Sequence, residues 1–154
     1  MSTHVHILRS CDGPRLTIPD ADITVLVPGE VTRGAYEVFL VESRQGRPGP
    51  LHTEPWPKSY HLLRGRILVQ AADTGYELAA GESITFPPGT MNTFTVLSES
   101  AEFLLVTAGA HMSGFFTELD ALGRAQHSAE DVAPLLLEVA NEYGITLASQ
   151  AGAS

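Results

Sequence analysis

Residues 52–65 read HTEPWPKSYHLLRG and residues 81–92 read GESITFPPGTMN, and these two stretches decide the fold. Each contains a short apolar run bounded by glycine or proline, the residues that most often separate strands from turns. Gly65 and Gly81 stand where strands turn, and Gly89 follows a proline pair where the chain bends before it re-enters a sheet. The two stretches therefore predict strand-and-turn units.

Similar segments surround these two stretches. Short runs rich in β-branched and aromatic residues, separated by Gly, Pro, Asp and Ser, lie at 23–29, 35–43, 60–70, 76–89, 92–98 and 101–109. No helical stretch of about a dozen residues lies between them to connect parallel strands. Residues 71–75, AADTG, predict a hairpin turn in which Gly75 takes a positive φ. The pattern predicts an all-β protein with an antiparallel sandwich or barrel.

A first helix is predicted after Ala110, where the apolar period changes from two to between three and four. Its N-cap is expected at Ser113 and its end before Gly123. Its apolar face holds Phe115, Phe116, Leu119 and Leu122. The helix is expected to pack on the outside of the β body.

A second helix is predicted to end at Gly144. Proline fits best in the first turn of a helix, so Pro134 places the predicted N-cap near Asp131 rather than at Ser128. The apolar stripe consists of Val132, Leu135, Leu136, Val139 and Tyr143. Core packing is the expected role of this stripe as well.

Composition excludes several classes of partner. The chain has 154 residues, which fits one domain with a core of its own. A net charge of -9 argues against nucleic acid and anionic membrane surfaces. The single cysteine, Cys11, cannot form an internal disulfide, and neither an export signal nor an apolar run of membrane-spanning length is found. These features predict a soluble, cytoplasmic protein with no nucleic-acid or membrane partner.

The spacing within the two stretches resembles the motif pair of the cupin family of small β-barrels. There the first motif reads His-x-His, three or four residues, Glu, six residues, Gly, and the second reads Gly, five residues, Pro-x-Gly, two residues, His. Gly65 closes the first motif here, and Gly81, Pro87 and Gly89 match the second. The resemblance covers residues 34–110.

The tail supports the same resemblance. GFFTELDALG and EYGITL are similar to the tails of quercetinase-like single-domain cupins from microbial pathways. The resemblance implies a single cupin domain over 1–154. It would have a cupin-type antiparallel β-barrel, or jelly roll, over about 20–110 and C-terminal helices over about 112–146.

The positions that hold a metal in that family are where this sequence departs from the motif. His52 matches the first histidine, but Glu54, Lys58 and Asn92 replace the second histidine, the glutamate and the last histidine. A catalytic metal usually takes three protein ligands, an amide is a poor substitute for imidazole, and an ammonium group has no free lone pair. The site is therefore predicted to work without a metal cofactor. A divalent transition metal held by His52 and Glu54 stays as the alternative.

Without a metal, the same positions predict a small-molecule pocket. Alternate side chains of a strand share a face, and in the barrel that the resemblance implies this face is the inside. The Pro-Trp-Pro bend would return Lys58 towards Glu54. The predicted catalytic residues are His52, Glu54, Lys58 and Asn92. The predicted substrate contacts are Tyr60, Trp56, Phe94, Leu62 and Val96, with Trp56 either covering the mouth or stacking on the substrate. His61, at an odd offset from Lys58, is expected outside the pocket.

Three functions fit this site. The first is an enzyme of a biosynthetic pathway, such as a polyketide-like or aromatic secondary-metabolite pathway. It would act on a small apolar oxygenated molecule as an acid–base cyclase, isomerase or dehydratase. The second is a metal-dependent, quercetinase-like dioxygenase, and the third is a non-catalytic small-molecule-binding cupin. A structural alternative without a function is also open: His52, Glu54 and Lys58 would form an ion-paired, solvated rim at the mouth of the barrel. A homodimer is also predicted, because strands 23–29 and 36–42 would leave apolar surface uncovered.

Overall fold

Two antiparallel sheets face each other across an apolar interior in this computed structural model, which describes residues 4–9, 12–46, 49–125 and 127–148. Strands are numbered in chain order. The six-stranded sheet has the order β1 (Arg15–Ile18), β2 (Ala21–Val27), β3 (Tyr36–Arg44), β10 (Ser100–Ala108), β5 (Lys58–Arg64) and β8 (Ser83–Phe86). The five-stranded sheet has the order β11 (Thr146–Leu147), β4 (His52–Thr53), β9 (Asn92–Val96), β6 (Arg66–Ala71) and β7 (Thr74–Ala79). The predicted antiparallel β-barrel is confirmed as a barrel-like sandwich of two sheets.

Glycine turns divide two of the predicted strands. Residues 60–70 form β5 and β6 on either side of Gly65, and residues 76–89 form β7 and β8 around Gly81. Gly65 has φ 84°, and a β-carbon on it would collide with the carbonyl oxygen of Ser100. A side chain is therefore excluded at this position by both backbone conformation and space.

The hairpin turn predicted within residues 71–75 is present between β6 and β7, but Gly75 is not one of its turn residues. Ala71 pairs with Thr74, so Ala72 and Asp73 form the turn. Ala72 has the positive φ, 54°, and Gly75 lies inside β7. The assignment of a positive φ to Gly75 was wrong, because pairing register decides which residue turns.

The first helix, α1 (Met112–Arg124), starts one residue before the predicted cap. His111 is its N-cap, Ser113 lies within its first turn and Gly123 within its last. Both predicted boundaries were therefore wrong. The start is held from outside the helix, since the buried Glu37 accepts hydrogen bonds from the backbone N–H of Ser113 at 3.1 Å and of Gly29 at 3.1 Å.

The second helix, α2 (Ala129–Glu142), begins earlier than predicted. Ser128 is the N-cap, and its Oγ accepts a hydrogen bond from the backbone N–H of Asp131 at 3.2 Å. Pro134 consequently lies inside the helix rather than in its first turn. The prediction of a cap near Asp131 was wrong, because the serine cap and the acidic first turn stabilise an earlier start.

Other observations bear on the remaining predictions. Strand β1 was not predicted; Leu16 pairs with Ile23 of β2, so β2 is not the edge strand of its sheet. No helix within the described ranges is long and apolar enough to cross a membrane. Cys11 lies outside the described residues.

Candidate active site

An internal cavity of about 400 Å³ lies between the sheets and the two helices. Its sheet side includes Ile23, Val41, Phe94, Phe103 and Leu105. Its helical side is formed by Met112, Phe115, Phe116 and Leu119 of α1 and Leu136 and Ala140 of α2. The volume and the apolar walls are typical of a small-molecule site. The helices therefore do more than pack on the barrel exterior, because they form one wall of the cavity.

A buried ion pair occupies the polar end of this cavity. Nζ of Lys58 lies 2.7 Å from Oε2 of Glu54, and both side chains are 3% exposed. The Pro-Trp-Pro bend between β4 and β5 brings them together, and the N–H of Gly89 fixes that bend by donating to the Glu54 carbonyl at 2.8 Å. Nδ2 of Asn92 donates to Oε1 of Glu54 at 3.0 Å. The carboxylate is thus held on both oxygens.

Lys58 also contacts aromatic side chains. Its Nζ donates to the hydroxyl of Tyr60 at 3.1 Å and lies 5.1 Å from the ring centroids of Tyr60 and Phe86. Lys58 and Tyr60 meet because residues two apart in β5 share a face. The Tyr60 hydroxyl accepts from Lys58, so its own hydrogen is available to a ligand.

Burial and charge set the protonation of these groups. Burial would raise the pKa of Glu54, but the adjacent His52 and the charge of Lys58 together lower it to about 2. Burial works against the charge of Lys58, but Tyr60 and Glu54 outweigh it and raise the pKa of Lys58. Burial raises the pKa of Tyr60. At neutral pH the site therefore contains a carboxylate, an ammonium group and a neutral phenol.

His52 lies at the more open side of the same cluster. Its Nδ1 is 2.9 Å from the carbonyl oxygen of Pro50, and its Nε2 is 3.4 Å from Oε1 of Glu54. A carbonyl oxygen only accepts, so Nδ1 carries a hydrogen and a neutral ring has its lone pair on Nε2. A proton gained at Nε2 would face the Glu54 carboxylate.

Asp20, in the turn between β1 and β2, also lines the cavity and was missed in the sequence. Its backbone carbonyl accepts a hydrogen bond from Oγ of Ser43 at 2.6 Å, which anchors the turn. Burial raises the pKa of the Asp20 carboxyl, although its own backbone N–H and the charges of His52 and Lys58 act in the opposite direction. A Pro-Asp pair in the sequence signals only a turn, so no local pattern could have assigned Asp20 to the site.

The structure places some of the predicted site residues in the cavity lining and others outside it. His52, Glu54, Lys58, Tyr60 and Phe94 line the cavity. Leu62 and Val96 belong to the buried core and are not lining residues, and Asn92 contacts the site through Oε1 of Glu54 and the backbone carbonyl of His52. Trp56 also lies outside the lining. It is buried, and its ring stacks on that of His111 with centroids 5.5 Å apart. His61 is exposed on the outer face, as its odd offset from Lys58 predicts.

The donor set does not fit a transition metal. Lys58 presents an ammonium group 2.7 Å from one oxygen of Glu54, and the amide N–H of Asn92 points at the other. Within the described ranges, no group of three or more His, Cys, Asp or Glu side chains is arranged to hold a metal ion. A cation between His52 and Glu54 would have to displace the existing pairing and repel Lys58.

Comparison with known proteins identifies the fold. No family model and no curated protein sequence matches the chain. The polyketide cyclase RemF from Streptomyces resistomycificus superposes with a TM-score of 0.60 at 17% identity, over 68% of this chain and 80% of RemF. KdgF from Halomonas sp. superposes with a TM-score of 0.57 at 13% identity, over 64% of this chain and 87% of KdgF.

Oxalate decarboxylase from Bacillus subtilis superposes with a TM-score of 0.57 at 18% identity, over 70% of this chain and 31% of that protein. A cupin 2 domain-containing protein from Halorhodospira halophila and the Cnp3 cupin domain of Schizosaccharomyces pombe also superpose. The protein therefore has the fold of the cupin superfamily. At these identities the likeness establishes the fold and leaves the chemistry to the site.

Proposed function

We propose that this protein is a metal-independent acid–base enzyme that converts a small, largely apolar oxygenated molecule by cyclisation, isomerisation or dehydration. The observation that carries the proposal is the buried Glu54–Lys58 pair, with Tyr60 beside it, at the end of an apolar cavity. RemF, which shares the fold, is a polyketide cyclase, and this agrees with a role in a biosynthetic pathway. That agreement is an analogy of fold.

The proposed base is His52 rather than Glu54. A carboxylate whose pKa is held at about 2 is a weak base, whereas the free Nε2 lone pair of His52 can take a proton from carbon beside a carbonyl group. The 3.4 Å separation between Nε2 and Oε1 of Glu54 lets the carboxylate stabilise the imidazolium that forms. Glu54 is thus a positioning residue, and Asn92 holds it.

Lys58 and Tyr60 are proposed to bind the substrate oxygen on which negative charge develops. Both are donors at neutral pH, and both line the cavity. Preorganised donors of this kind stabilise an enolate more than the ketone from which it forms. A protonated Lys58 has no lone pair to attack a carbonyl, so the proposal includes no Schiff base.

A probe reaction tests the base. The β-hydroxy ketone made from naphthaldehyde and acetone is converted to its acetate ester, and loss of acetate is followed by the absorbance of the conjugated enone. We expect the wild-type protein to accelerate this elimination, His52→Ala to lower kcat/KM by roughly a hundredfold, and EDTA to have no effect. His61→Ala, which alters an exposed histidine outside the cavity, is the matched control and should retain full activity.

Other results would overturn the proposal. Elemental analysis that finds near-stoichiometric nickel, iron, manganese or zinc, with activity lost to EDTA and restored by metal, would establish the metal-dependent dioxygenase class instead. A small molecule that co-purifies with a protein unable to accelerate the elimination would indicate a binding cupin. Equal elimination rates for wild type and His52→Ala would show that His52 is not the base.

A further inference from the structure

Two carboxyl groups share the cavity, and their surroundings push them in opposite directions. Glu54 is paired with Lys58 and accepts a hydrogen bond from Asn92, so it stays ionised. Asp20 enters from a different part of the chain, the turn after β1, and burial favours its neutral form. Two carboxyl groups whose pKa values are shifted in opposite directions commonly divide the roles of proton donor and charge stabiliser.

The position of Asp20 is set by its neighbours. Ser43 anchors its backbone carbonyl, and a β-carbon built on Gly49 would lie only 2.9 Å from its Oδ2. Within 4–9, 12–46, 49–125 and 127–148, no other residue donates a hydrogen bond to the Asp20 carboxyl. The titratable groups that influence it from the facing elements are His52 of β4 and Lys58 of β5. The Asp20 carboxyl is therefore not committed to another described residue.

We propose that Asp20 is the general acid of this site and protonates a hydroxyl leaving group, which makes the reaction a dehydration. This inference rests on the proposed function, because it needs His52 as the base. His52 takes the proton on the carbon beside the carbonyl, and Lys58 and Tyr60 hold the enolate oxygen. The enolate electrons form the carbon–carbon double bond as the β carbon–oxygen bond breaks. Asp20 gives its proton to the departing oxygen, and water leaves.

The cycle closes without any further reactant. After the reaction Asp20 is a carboxylate and His52 an imidazolium, and transfer of one proton through solvent restores both. The substrate class is a β-hydroxy carbonyl compound with an apolar body that fits the cavity of about 400 Å³. A hydroxide ion is a poor leaving group without protonation, whereas acetate leaves without an acid.

The leaving group therefore tests Asp20 separately from the base. The naphthyl β-hydroxy ketone and its acetate ester are compared on wild type and Asp20→Asn, which keeps the shape of the side chain without a transferable proton. We expect kcat/KM to fall roughly a hundredfold for the hydroxy ketone and to change less than about threefold for the ester. Gly49→Ala, which places a methyl group against Oδ2 of Asp20, should show the same selective loss.

Asp22→Asn is the matched control, because Asp22 lies on the same hairpin but points to solvent near Arg15. It should leave both probes unchanged. Equal losses on both probes in Asp20→Asn would show a structural role only, and no loss on either would exclude Asp20 from the reaction; both results overturn this inference. Wild-type turnover of the ester without any of the hydroxy ketone would also overturn it while leaving His52 as the base. Failure on both probes refutes the proposed function itself.

Discussion

Replacing Lys58 with methionine is the most informative perturbation of stability. The change keeps an unbranched side chain of similar length and removes the charge that lies 2.7 Å from the Glu54 carboxylate. Glu54 is 3% exposed, so the lost partner cannot be replaced by bulk water. Breaking one side of a buried pair typically costs about 3–5 kcal/mol. We expect Lys58→Met to lower the free energy of unfolding by an amount in that range.

The pH dependence of the free energy of unfolding provides a second test of the Glu54–Lys58 pair. Glu54 has a pKa of about 2 in the folded protein against a reference value of 4.5, so its contribution is present above about pH 4.5 and is lost as the pH falls towards 2. That difference corresponds to roughly 3 kcal/mol. In Lys58→Met this acid-dependent loss should shrink, because one of the causes that lowers the pKa of Glu54 is gone.

Urea unfolding, followed by the fluorescence of the single tryptophan at fixed protein concentration, measures both effects. The control is Arg66→Met, because Arg66 and Glu77 are also 2.7 Å apart but both are 55% exposed. This exposed pair should contribute less than about 1 kcal/mol. The double variant Glu54→Gln with Lys58→Met should recover at least about 2 kcal/mol, since no charge is left buried. If Lys58→Met costs no more than Arg66→Met, the Glu54–Lys58 pair is a solvated rim and not a buried site.

Three further predictions concern the fold and the assembly. Gly65→Ala should destabilise the protein by at least about 2 kcal/mol more than Gly81→Ala. Both glycines have a positive φ, but only Gly65 lies against the Ser100 carbonyl. Equal losses of stability in urea unfolding would contradict this prediction. Ser128→Ala should cost about 1 kcal/mol through loss of the cap on α2, whereas Ser113→Ala should be nearly neutral in the same measurement. The protein should be a dimer, with a mass of twice 16.5 kDa by light scattering at micromolar concentration. The reason is an apolar surface on β3 and β10, where Leu40 pairs with Leu104 and Val38 with Val106 at partly exposed, outward positions. A mass of 16.5 kDa would refute the dimer.

The sequence was most informative where the deciding interactions are local. The spacing of Gly65, Gly81 and Gly89 is sufficient to predict the turns, because each conformation depends on a few adjacent residues. The approach of Lys58 to Glu54 follows from strand alternation and one short bend. Helix boundaries were less predictable, since Glu37, far along the chain, holds the start of α1.

Long-range features of the site could not be predicted. Asp20 and His52 line the same cavity although the β1–β2 turn and β4 belong to different sheets, and no short pattern contains both. The apolar stripes of the helices indicated burial, but a stripe does not tell whether it meets solid core or a cavity. Trp56 was expected either to cover the mouth or to stack on the substrate, whereas its ring partner in the structure is His111, which lies beyond the last long strand.

The cavity wall formed by α1 and α2 shapes the cavity, whereas the polar groups of the site lie on other elements of the chain. The polar groups of the cavity lie on the barrel, whereas Phe115, Leu119 and Leu136 present only apolar surface from a segment outside both motifs. Glu37 and Asp120 fasten α1 to β strands near its two ends, Asp120 by accepting from the Thr17 N–H at 2.9 Å. Substitutions along this wall can therefore change the shape of the cavity and leave its polar groups unchanged. Two proteins with identical motifs could thus select different molecules, and a comparison limited to the motifs would group them as one activity.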